Sequence, residues 1–471
     1  MAESRYERDG IPVGRLRRAA PLLGAAARGT GEAVIGALRR RGAPTEPEAA
    51  WTRRAERYAE LLGRSKGALM KAGQVLSYVP FGTAVPPESR EFFRAAMARL
   101  QADAPPMAPE LAAEVVREEL GAPPEELFAE FSIRPLAAAS IGQVHAARLP
   151  DGRAVAVKVQ YPGVAEAIRD DLRNAELLAV FFQLLRSAVP GLTRLDPKEI
   201  AGEISARITE ELDYRLEASH QQFFADAYRG HPFIAVPEII PDLSARRVLT
   251  QQLADGLRWE AAVRASQRLR DAWGEAIYRF ALGSLRRLHA FNADPHPGNY
   301  LFRRDGSVAF LDFGCVKRFN AGQVVLMQDV VRAVLRQDAD AVWDAFARLG
   351  LLSATDGLTP RDVLEWYSGP FEMLLSPQPY QITPEIAARI LRSEYSPAGP
   401  SGRVVRSLSL PGDYVFLSRI DLGLFSVLAE LRATADWRGI QAELDENSPP
   451  ATPMGEADAA FWATHPSVAA R

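Results

Sequence analysis

The strongest constraint on this chain is the order of polar residues that begins at Asn292. Asp294 and Asn299 stand five positions apart on a segment rich in Pro and Gly, and Asp312 then opens an Asp-Phe-Gly turn after a short apolar strand. Enzymes of the kinase type place a catalytic-loop Asp, a loop Asn and a metal-binding Asp in this order. One Asp can orient the attacking hydroxyl, while Asn299 and Asp312 can hold Mg²⁺ against nucleotide phosphates. The pattern therefore predicts chemistry on ATP.

Composition and charge are those of a soluble globular chain. The 471 residues carry a formal net charge of −3, so no bulk charge favours nucleic acid as a partner. Cys315 is the single cysteine, which excludes an internal disulfide and fits a reducing compartment. No apolar run approaches the roughly 18 to 20 residues of a spanning helix, so we expect a cytoplasmic protein. Residues 22–38 could still contact the inner face of a membrane as a peripheral amphipathic helix, or simply pack on the protein.

Breaks in composition divide the chain into five parts. In the strand predicted over 153–159, valines alternate with Lys158, so Lys158 should leave the face opposite the valines. Helical periodicity dominates before this sheet region and again after it. The predicted parts are a leader and linker (1–50), an N-terminal helical extension (51–125), a kinase-like N-lobe (126–255), a kinase-like helical C-lobe (256–445) and a polar tail (446–471).

Six short motifs occur in order along the chain. They are Lys-Ala-Gly-Gln (71–74), Ala-Ala-Ala-Ser-Ile-Gly-Gln-Val-His (137–145), Val-Ala-Val-Lys-Val-Gln-Tyr-Pro-Gly (155–163), Glu-Leu-Asp-Tyr (211–214) with Glu-Ala (217–218), Ala-Asp-Pro-His-Pro-Gly-Asn (293–299) and Asp-Phe-Gly (312–314). Together, over about residues 60 to 320, they resemble the UbiB (AarF) family of atypical kinases. The resemblance implies an α+β, protein-kinase-like bilobal fold, with a small mixed-sheet lobe, a helical C-lobe and an N-terminal helical extension.

The resemblance also implies roles for individual residues. Lys158 would bind the nucleotide phosphates with Glu211 as its partner, and Asp294 would be the catalytic-loop Asp. Asn299 and Asp312 would hold Mg²⁺ for bound ATP or ADP. The further nucleotide-binding positions are Ala137, Ala138, Ala139 and Ser140 in a loop over the nucleotide, and Lys71 and Gln74 in the extension, with Glu217 as the partner of the extension.

Which glutamate pairs with Lys158 stays open on the residues alone. A continuous helix over 196–228 would place Glu211 and Glu217 on different faces, and it would place Glu210 on the face of Glu217. Different faces suit two different partners for Glu211 and Glu217. Glu210 nevertheless remains a rival of Glu211.

The segment before the strand lysine carries alanines where kinases carry glycines. Cβ atoms on Ala137–Ala139 restrict the backbone amides that would face phosphate, so we expect slow turnover. Asn292 stands where the family usually has His. We expect His289 to be a packed helix-end residue and His296 to be a loop-shaping donor, because Asp294 already fills the position of the base.

The function predicted from these residues is Mg-dependent phosphoryl transfer or ATP hydrolysis of the UbiB type. The resemblance implies a link to quinone or lipid metabolism, with a small lipid-like or quinone-related substrate; the oligomeric state stays open. One alternative is a nucleotide-gated binding module without phosphotransfer. A protein kinase is less favoured, because a helix is predicted from about Ala321 and no Ala-Pro-Glu motif precedes it.

Overall fold

The computed structural model describes six stretches of the chain, which are 107–139, 141–173, 209–352, 357–395, 401–407 and 423–465. Within them the chain forms two compact units. The first unit ends at Arg215 and takes in Ile240–Gln251, and the second unit comprises Leu216–Ile239 and the chain from Gln252 onward. The predictions for the leader, for most of the helical extension with Lys71 and Gln74, and for Ser140 lie outside the described residues.

The first unit is built on a four-stranded sheet with helices α1 to α3. Its strands are β1 (Glu130–Ala139), β2 (Gly142–Arg148), β3 (Ala154–Gln160) and β5 (Val248–Gln252), in the spatial order β1-β2-β3-β5. The helices are α1 (Pro109–Leu120), α2 (Pro124–Leu127) and α3 (Val164–Arg173). The pairs β1–β2 and β2–β3 are antiparallel.

The alternation predicted for β3 is confirmed. Val155, Val157 and Val159 are fully buried, whereas Lys158 on the opposite face is only partly buried. The β2–β3 turn uses Gly152 at φ 89°, a left-handed conformation that glycine adopts without steric cost. The hydrophobic pattern thus fixes the register that orients Lys158.

Gly142, at the start of β2, explains part of the Ser-Ile-Gly-Gln motif. A Cβ atom on Gly142 would lie 2.2 Å from the carbonyl oxygen of Val159, closer than real Cβ atoms approach backbone. The absence of a side chain therefore lets β2 lie against the part of β3 that carries Lys158.

The second unit is mainly helical, with three small sheets. Its helices are α4 (Tyr214–Ala227, which begins in the first unit), α5 (Trp259–Ala262), α6 (Gln267–Leu288), α7 (Ala321–Leu335), α8 (Ala339–Arg348), α9 (Pro360–Tyr367), α10 (Glu372–Leu375), α11 (Pro384–Tyr395), α12 (Gly402–Ser407), α13 (423–431), α14 (Trp437–Glu446) and α15 (Pro453–Thr464). Its strands are β4 (Ile234–Ala235), β6 (Ala290–Asn292), β7 (Tyr300–Phe302), β8 (Val308–Phe310), β9 (Val316–Arg318), β10 (Tyr380–Gln381) and β11 (Thr434–Ala435), paired as β4-β8-β7, β6-β9 and β10-β11.

Helix α6 is the centre of this unit. Trp273 and Phe280 on α6 are buried among aromatic rings, and the Phe280 and Phe310 rings stack with centroids 3.8 Å apart. The strands that carry the polar motif residues flank this core. Helices α7, α8 and α9 form a second core around Val334 and Phe346.

The segment set apart as a polar tail contains helix α15. Thr452 caps this helix by accepting a hydrogen bond from the Gly455 N–H (3.0 Å), and Asp458 and Phe461 are buried. The helix is held by polar and aromatic contacts together, because Asp458 is hydrogen-bonded to His231 (3.0 Å) and the Trp462 ring packs on Tyr228. None of the helices in the described ranges combines the length and apolar content of a membrane span.

Candidate active site

Two strands bring the catalytic-loop motif and the Asp-Phe-Gly turn side by side. Strand β6 pairs antiparallel with β9, so that Asn292 faces Val316. The pairing continues one step further, because the Ala293 N–H donates to the Cys315 carbonyl (2.7 Å). The loop that follows β6 and the turn that precedes β9 therefore leave the ladder at the same end.

Asp294 and Asn299 are in direct contact within this loop. The Asn299 carboxamide Nδ2 donates to Asp294 Oδ2 (3.0 Å) and to the Asp294 backbone carbonyl (3.2 Å). These two bonds fix which side of the carboxamide carries the N–H groups. The Asn299 Oδ1 atom is thereby turned to the other side, where it can act as a metal ligand.

A short 3₁₀ turn over Pro297–Asn299 gives the loop its shape. His296 supports the turn, because its Nδ1 accepts a hydrogen bond from the Gly298 N–H (3.0 Å). His296 therefore shapes the loop, in this contact as an acceptor. His289 ends α6 in a left-handed conformation (φ 50°).

Asp312 is held by its own turn and by Asn292. Its Oδ1 accepts the Gly314 N–H (2.9 Å), and its backbone carbonyl accepts from Asn292 Nδ2 (2.7 Å). Asn292 Oδ1 in turn accepts the Asp294 N–H (3.3 Å). Asn292 thus ties the two motifs together, a role that the sequence analysis missed because it treated the residue only as a departure from the family pattern. Its position at the end of a paired strand was the available signal.

Glu217 lies beside the same turn. A Cβ atom built on Gly314 would lie 3.2 Å from Asp312 Oδ1 and 3.7 Å from Glu217 Oε2, so the Glu217 carboxylate borders the glycine. Glu217 is 6% exposed on α4. The middle residue of the turn, Phe313, is fully buried and packs on Phe224 of α4 with ring centroids 5.0 Å apart. Helix α4 therefore supports the turn directly; a contact of Glu217 with the extension involves residues outside the described ranges.

Lys158 lies in the first unit on β3. Its ammonium nitrogen is 5.0 Å from the centroid of the Tyr214 ring, at the start of α4. Glu211 lies shortly before Tyr214 in the sequence, in a turn at 211–212.

The helix expected over 196–228 is interrupted before Tyr214, so the face argument that related Glu210, Glu211 and Glu217 is wrong. Asp213 explains the break, because its carboxylate accepts the Arg215 N–H (3.1 Å) and so favours a new helix start.

Ala137, Ala138 and Ala139 belong to strand β1 rather than to a loop. They pair with Val144, Gln143 and Gly142 of β2. The expectation of an alanine-rich loop is therefore wrong for these three residues. Alanine is compatible with strand pairing here because the pairing depends on backbone hydrogen bonds with β2 and not on the alanine side chains.

A buried Gln143–His145 pair holds this hairpin and was also missed. His145 Nδ1 donates to the Ser132 carbonyl (2.8 Å), and its Nε2 accepts from the Gln143 carboxamide (2.8 Å). Gln143 Oε1 then accepts the Met107 N–H (3.1 Å). Burial lowers the pKa of His145, which keeps the ring neutral in this chain of hydrogen bonds. The Gln-Val-His end of the motif was the signal.

The donor set of the second unit fits Mg²⁺. Mg²⁺ is commonly bound by one or two protein oxygens together with water and phosphate oxygens. Asp312 and the oriented Asn299 supply a carboxylate and a carboxamide oxygen, and both side chains are only partly buried. In the described part of the chain no cluster of three or more His, Cys, Asp or Glu side chains forms a metal cage.

Comparisons with known proteins give a family match. Residues 99–346 match the family model described as the ABC1 atypical kinase-like domain. The chain is 36% identical over 308 residues to the Synechocystis protein named "Uncharacterized protein sll0005", an alignment that covers 64% of this chain and 43% of the relative. It is 35% identical over 289 residues to the rat protein named "Atypical kinase COQ8B, mitochondrial", covering 61% of this chain and 53% of the relative. The chain thus spans about half the length of these curated relatives.

A solved structure extends the match to most of the chain. It is described as "The complex structure of Rv3197-erythromycin from Mycobacterium tuberculosis", and the alignment covers 83% of this chain and 95% of that chain with a TM-score of 0.61 and 29% identity. The predicted α+β, protein-kinase-like fold is confirmed.

Proposed function

Because the chain belongs to the ABC1 atypical kinase-like family, which includes the COQ8 and UbiB proteins, we propose that it binds ATP with Mg²⁺ and transfers or hydrolyses the terminal phosphoryl group. The observation that supports this most directly is the carboxamide of Asn299, which two hydrogen bonds to Asp294 orient next to the Asp-Phe-Gly turn. A solvated surface asparagine would need no such restraint.

Each residue has a distinct part in the proposed reaction. Asp294, fixed by Asn299 and by its N–H bond to Asn292, orients the acceptor hydroxyl or water and can take up its proton. Asn299 and Asp312 hold Mg²⁺, which neutralises charge on the phosphates when bound. Lys158 of the first unit binds phosphate oxygens, with Glu211 as its partner.

We propose that the acceptor is a small lipid-like or quinone-related molecule. We also propose that the protein acts in the cytoplasm or at the inner face of a membrane. The name of the rat relative places that protein in mitochondria, and the Mycobacterium protein was solved as a complex with erythromycin. A quinone-like phenol is a suitable probe because it resembles the proposed acceptor, and a hydrophobic macrolide is suitable because the Mycobacterium protein was solved with one.

Phosphate release from Mg-ATP tests the proposal. We expect the full chain to release phosphate slowly and to be stimulated by a quinone-like phenol or by anionic vesicles. Asp294→Asn should lower release by about 100-fold or more while nucleotide binding persists, because a general base contributes on that order. Asp312→Asn should weaken Mg-dependent nucleotide binding itself. Asp340→Asn, an exposed aspartate on α8, is the matched control and should leave both unchanged.

Other outcomes would assign another function. Mg-nucleotide binding without release by the wild-type protein under any of these conditions would indicate a binding module. Efficient labelling of a casein-like protein would indicate a protein kinase. Absence of any Mg-nucleotide binding would overturn the proposal.

A further inference from the structure

The aromatic ring beneath Lys158 takes no part in the proposed reaction. Tyr214 is 1% exposed, and the Lys158 ammonium lies 5.0 Å from its ring centroid. A cation within about 6 Å of a ring centroid is attracted by the negative face of the π system, most strongly where water is excluded. We propose that Tyr214 is a positioning residue for Lys158, and that its ring holds the ammonium in place for phosphate; this rests on the proposed nucleotide-binding function.

The backbone of Tyr214 is fixed independently of its ring. Its N–H donates to the Arg246 carbonyl (2.9 Å), just before strand β5. The following residue is fixed by Asp213, whose carboxylate accepts the Arg215 N–H (3.1 Å). The ring is therefore presented from a helix start that is anchored to the sheet.

Strand β3 itself supplies a second anchor. The buried Gln160 carboxamide donates to the Leu212 carbonyl (3.2 Å) and more weakly to the Arg246 carbonyl (3.4 Å). Gln160 is two residues beyond Lys158, so both side chains leave the same face of β3. One strand thus carries the lysine and also fixes the turn that places the ring. A shift of β3 would move both together, which preserves their spacing.

A ring restrains a lysine differently from a carboxylate. The aromatic face attracts the ammonium without carrying a net charge, so it does not compete with the nucleotide for neutralisation of Lys158. We therefore expect the ring to act on ATP affinity by pre-organising the lysine. The role implied for Glu211 is unaffected, since the contribution of Tyr214 adds to it.

The first experiment uses NMR to detect the contact between Lys158 and Tyr214 in the absence of nucleotide. The chain has five lysines, so reductive ¹³C-methylation gives few signals. The Lys158 methyl signal is identified by its loss in Lys158→Arg. In the wild-type protein this signal should be shifted upfield by the ring current of Tyr214. The shift should persist in Tyr214→Phe and vanish in Tyr214→Leu. The matched control is Tyr161→Leu, which removes another buried tyrosine of the same unit and should leave the shift intact. An unshifted Lys158 signal in the wild-type protein would overturn the proposal.

The second experiment separates positioning from mere structural support. Tyr214→Leu should raise the KM for ATP about tenfold with kcat at saturating ATP nearly unchanged, and Tyr214→Phe should stay within about twofold of wild type. In a Lys158→Met background the leucine substitution should have no further effect. An effect of equal size in that background, or equal losses in the Phe and Leu variants, would sink the proposal. If wild-type protein bound no Mg-ATP, the proposed function would fail, and the methyl signal would still decide the contact.

Discussion

Two groups of charged residues in the second unit are held in different ways. The first is the candidate active site, where Asp294 accepts from the neutral carboxamide of Asn299 and Asp312 accepts from a backbone N–H. The second is the arginine cluster, which we define as Arg279 with Glu275, Glu443, Asp458 and Thr452. There the fully buried Arg279 guanidinium donates to Glu275 (2.8 Å) and to both oxygens of Glu443 (2.7 and 3.1 Å).

The two arrangements suit different roles. The arginine cluster sets full charges against each other and joins helices α6, α14 and α15, which are distant in sequence. Charges paired in this way hold a fold together. At the active site, the Asn299 carboxamide and the Gly314 N–H fix the direction of the two carboxylates without adding positive charge of their own, which suits metal and phosphate chemistry. Residues of the arginine cluster should therefore affect stability, and those of the candidate active site should affect turnover.

The largest expected effect is on stability, from Arg279→Met. Removal of the guanidinium leaves buried carboxylates without compensation, which should cost about 3–5 kcal/mol in the free energy of unfolding. Urea denaturation measures this loss. Arg361→Met is the matched control, because Arg361 forms an exposed ion pair with Glu365 and should contribute less than about 1 kcal/mol. Equal losses in the two variants would show that the buried arginine cluster contributes no more to stability than an exposed ion pair.

A smaller and purely functional effect is expected from Gly314→Ala. The new Cβ atom would lie 3.2 Å from Asp312 Oδ1, so the carboxylate must shift by a few tenths of an ångström. We expect turnover of Mg-ATP to fall about tenfold, equivalent to about 1.4 kcal/mol, with little change in melting temperature. In Gly322→Ala the new Cβ atom meets a side-chain oxygen at a similar distance, 3.3 Å from Asn320 Oδ1, but at the capped start of α7. That control should keep normal turnover; a similar loss there would argue against a local cause.

The smallest effect is a pH dependence of stability centred on His231. Burial lowers the pKa of His231, although its hydrogen bond to Asp458 and the Asp458 charge oppose this, and the charges of Arg287 and Arg279 lower it further. The ring is suited to the neutral form, because Nε2 donates to Asp458 (3.0 Å) while Nδ1 accepts the Ile234 N–H (3.1 Å).

Since the folded pKa lies below the unfolded value of about 6.5, protonation favours the unfolded chain. Stability should be constant above about pH 6.5 and fall below it, by about 1 kcal/mol over the first pH unit. His145 in the first unit contributes with the same sign. Urea denaturation at pH 7 and pH 5.5 measures the change, which His231→Gln should reduce. A protein more stable at pH 5.5 than at pH 7 would contradict this assignment.

The sequence predicted those parts that depend on short-range patterns. Valine alternation placed Lys158 on the correct face of β3, and the motif order indicated the fold and the family. Spacing also singled out Asp294 and Asn299, whose side chains prove to be in contact. These features could be predicted because each depends on a motif or a spacing of a few consecutive residues.

The features that were missed depend on partners far away in the chain. The helix over 196–228 was predicted as continuous because periodicity cannot detect a competing cap such as Asp213. Ala137–Ala139 were assigned to a loop because the resemblance places them over the nucleotide, whereas their pairing with the more distant strand β2 decides their conformation. Helix α15 escaped notice because Asp458 is buried by Arg287 and His231 from other elements.

The docking of α15 also sets a practical limit on how far the chain can be shortened. Thr452 accepts a hydrogen bond from Arg279 (3.1 Å), and Trp462 packs edge-on against Tyr228 with ring centroids 5.5 Å apart. A truncation at residue 450 would strip a layer of polar and aromatic contacts from the interior and open it to water. A shortened chain chosen for expression should therefore extend through Thr464. The match to the family model ends well over a hundred residues earlier, at residue 346.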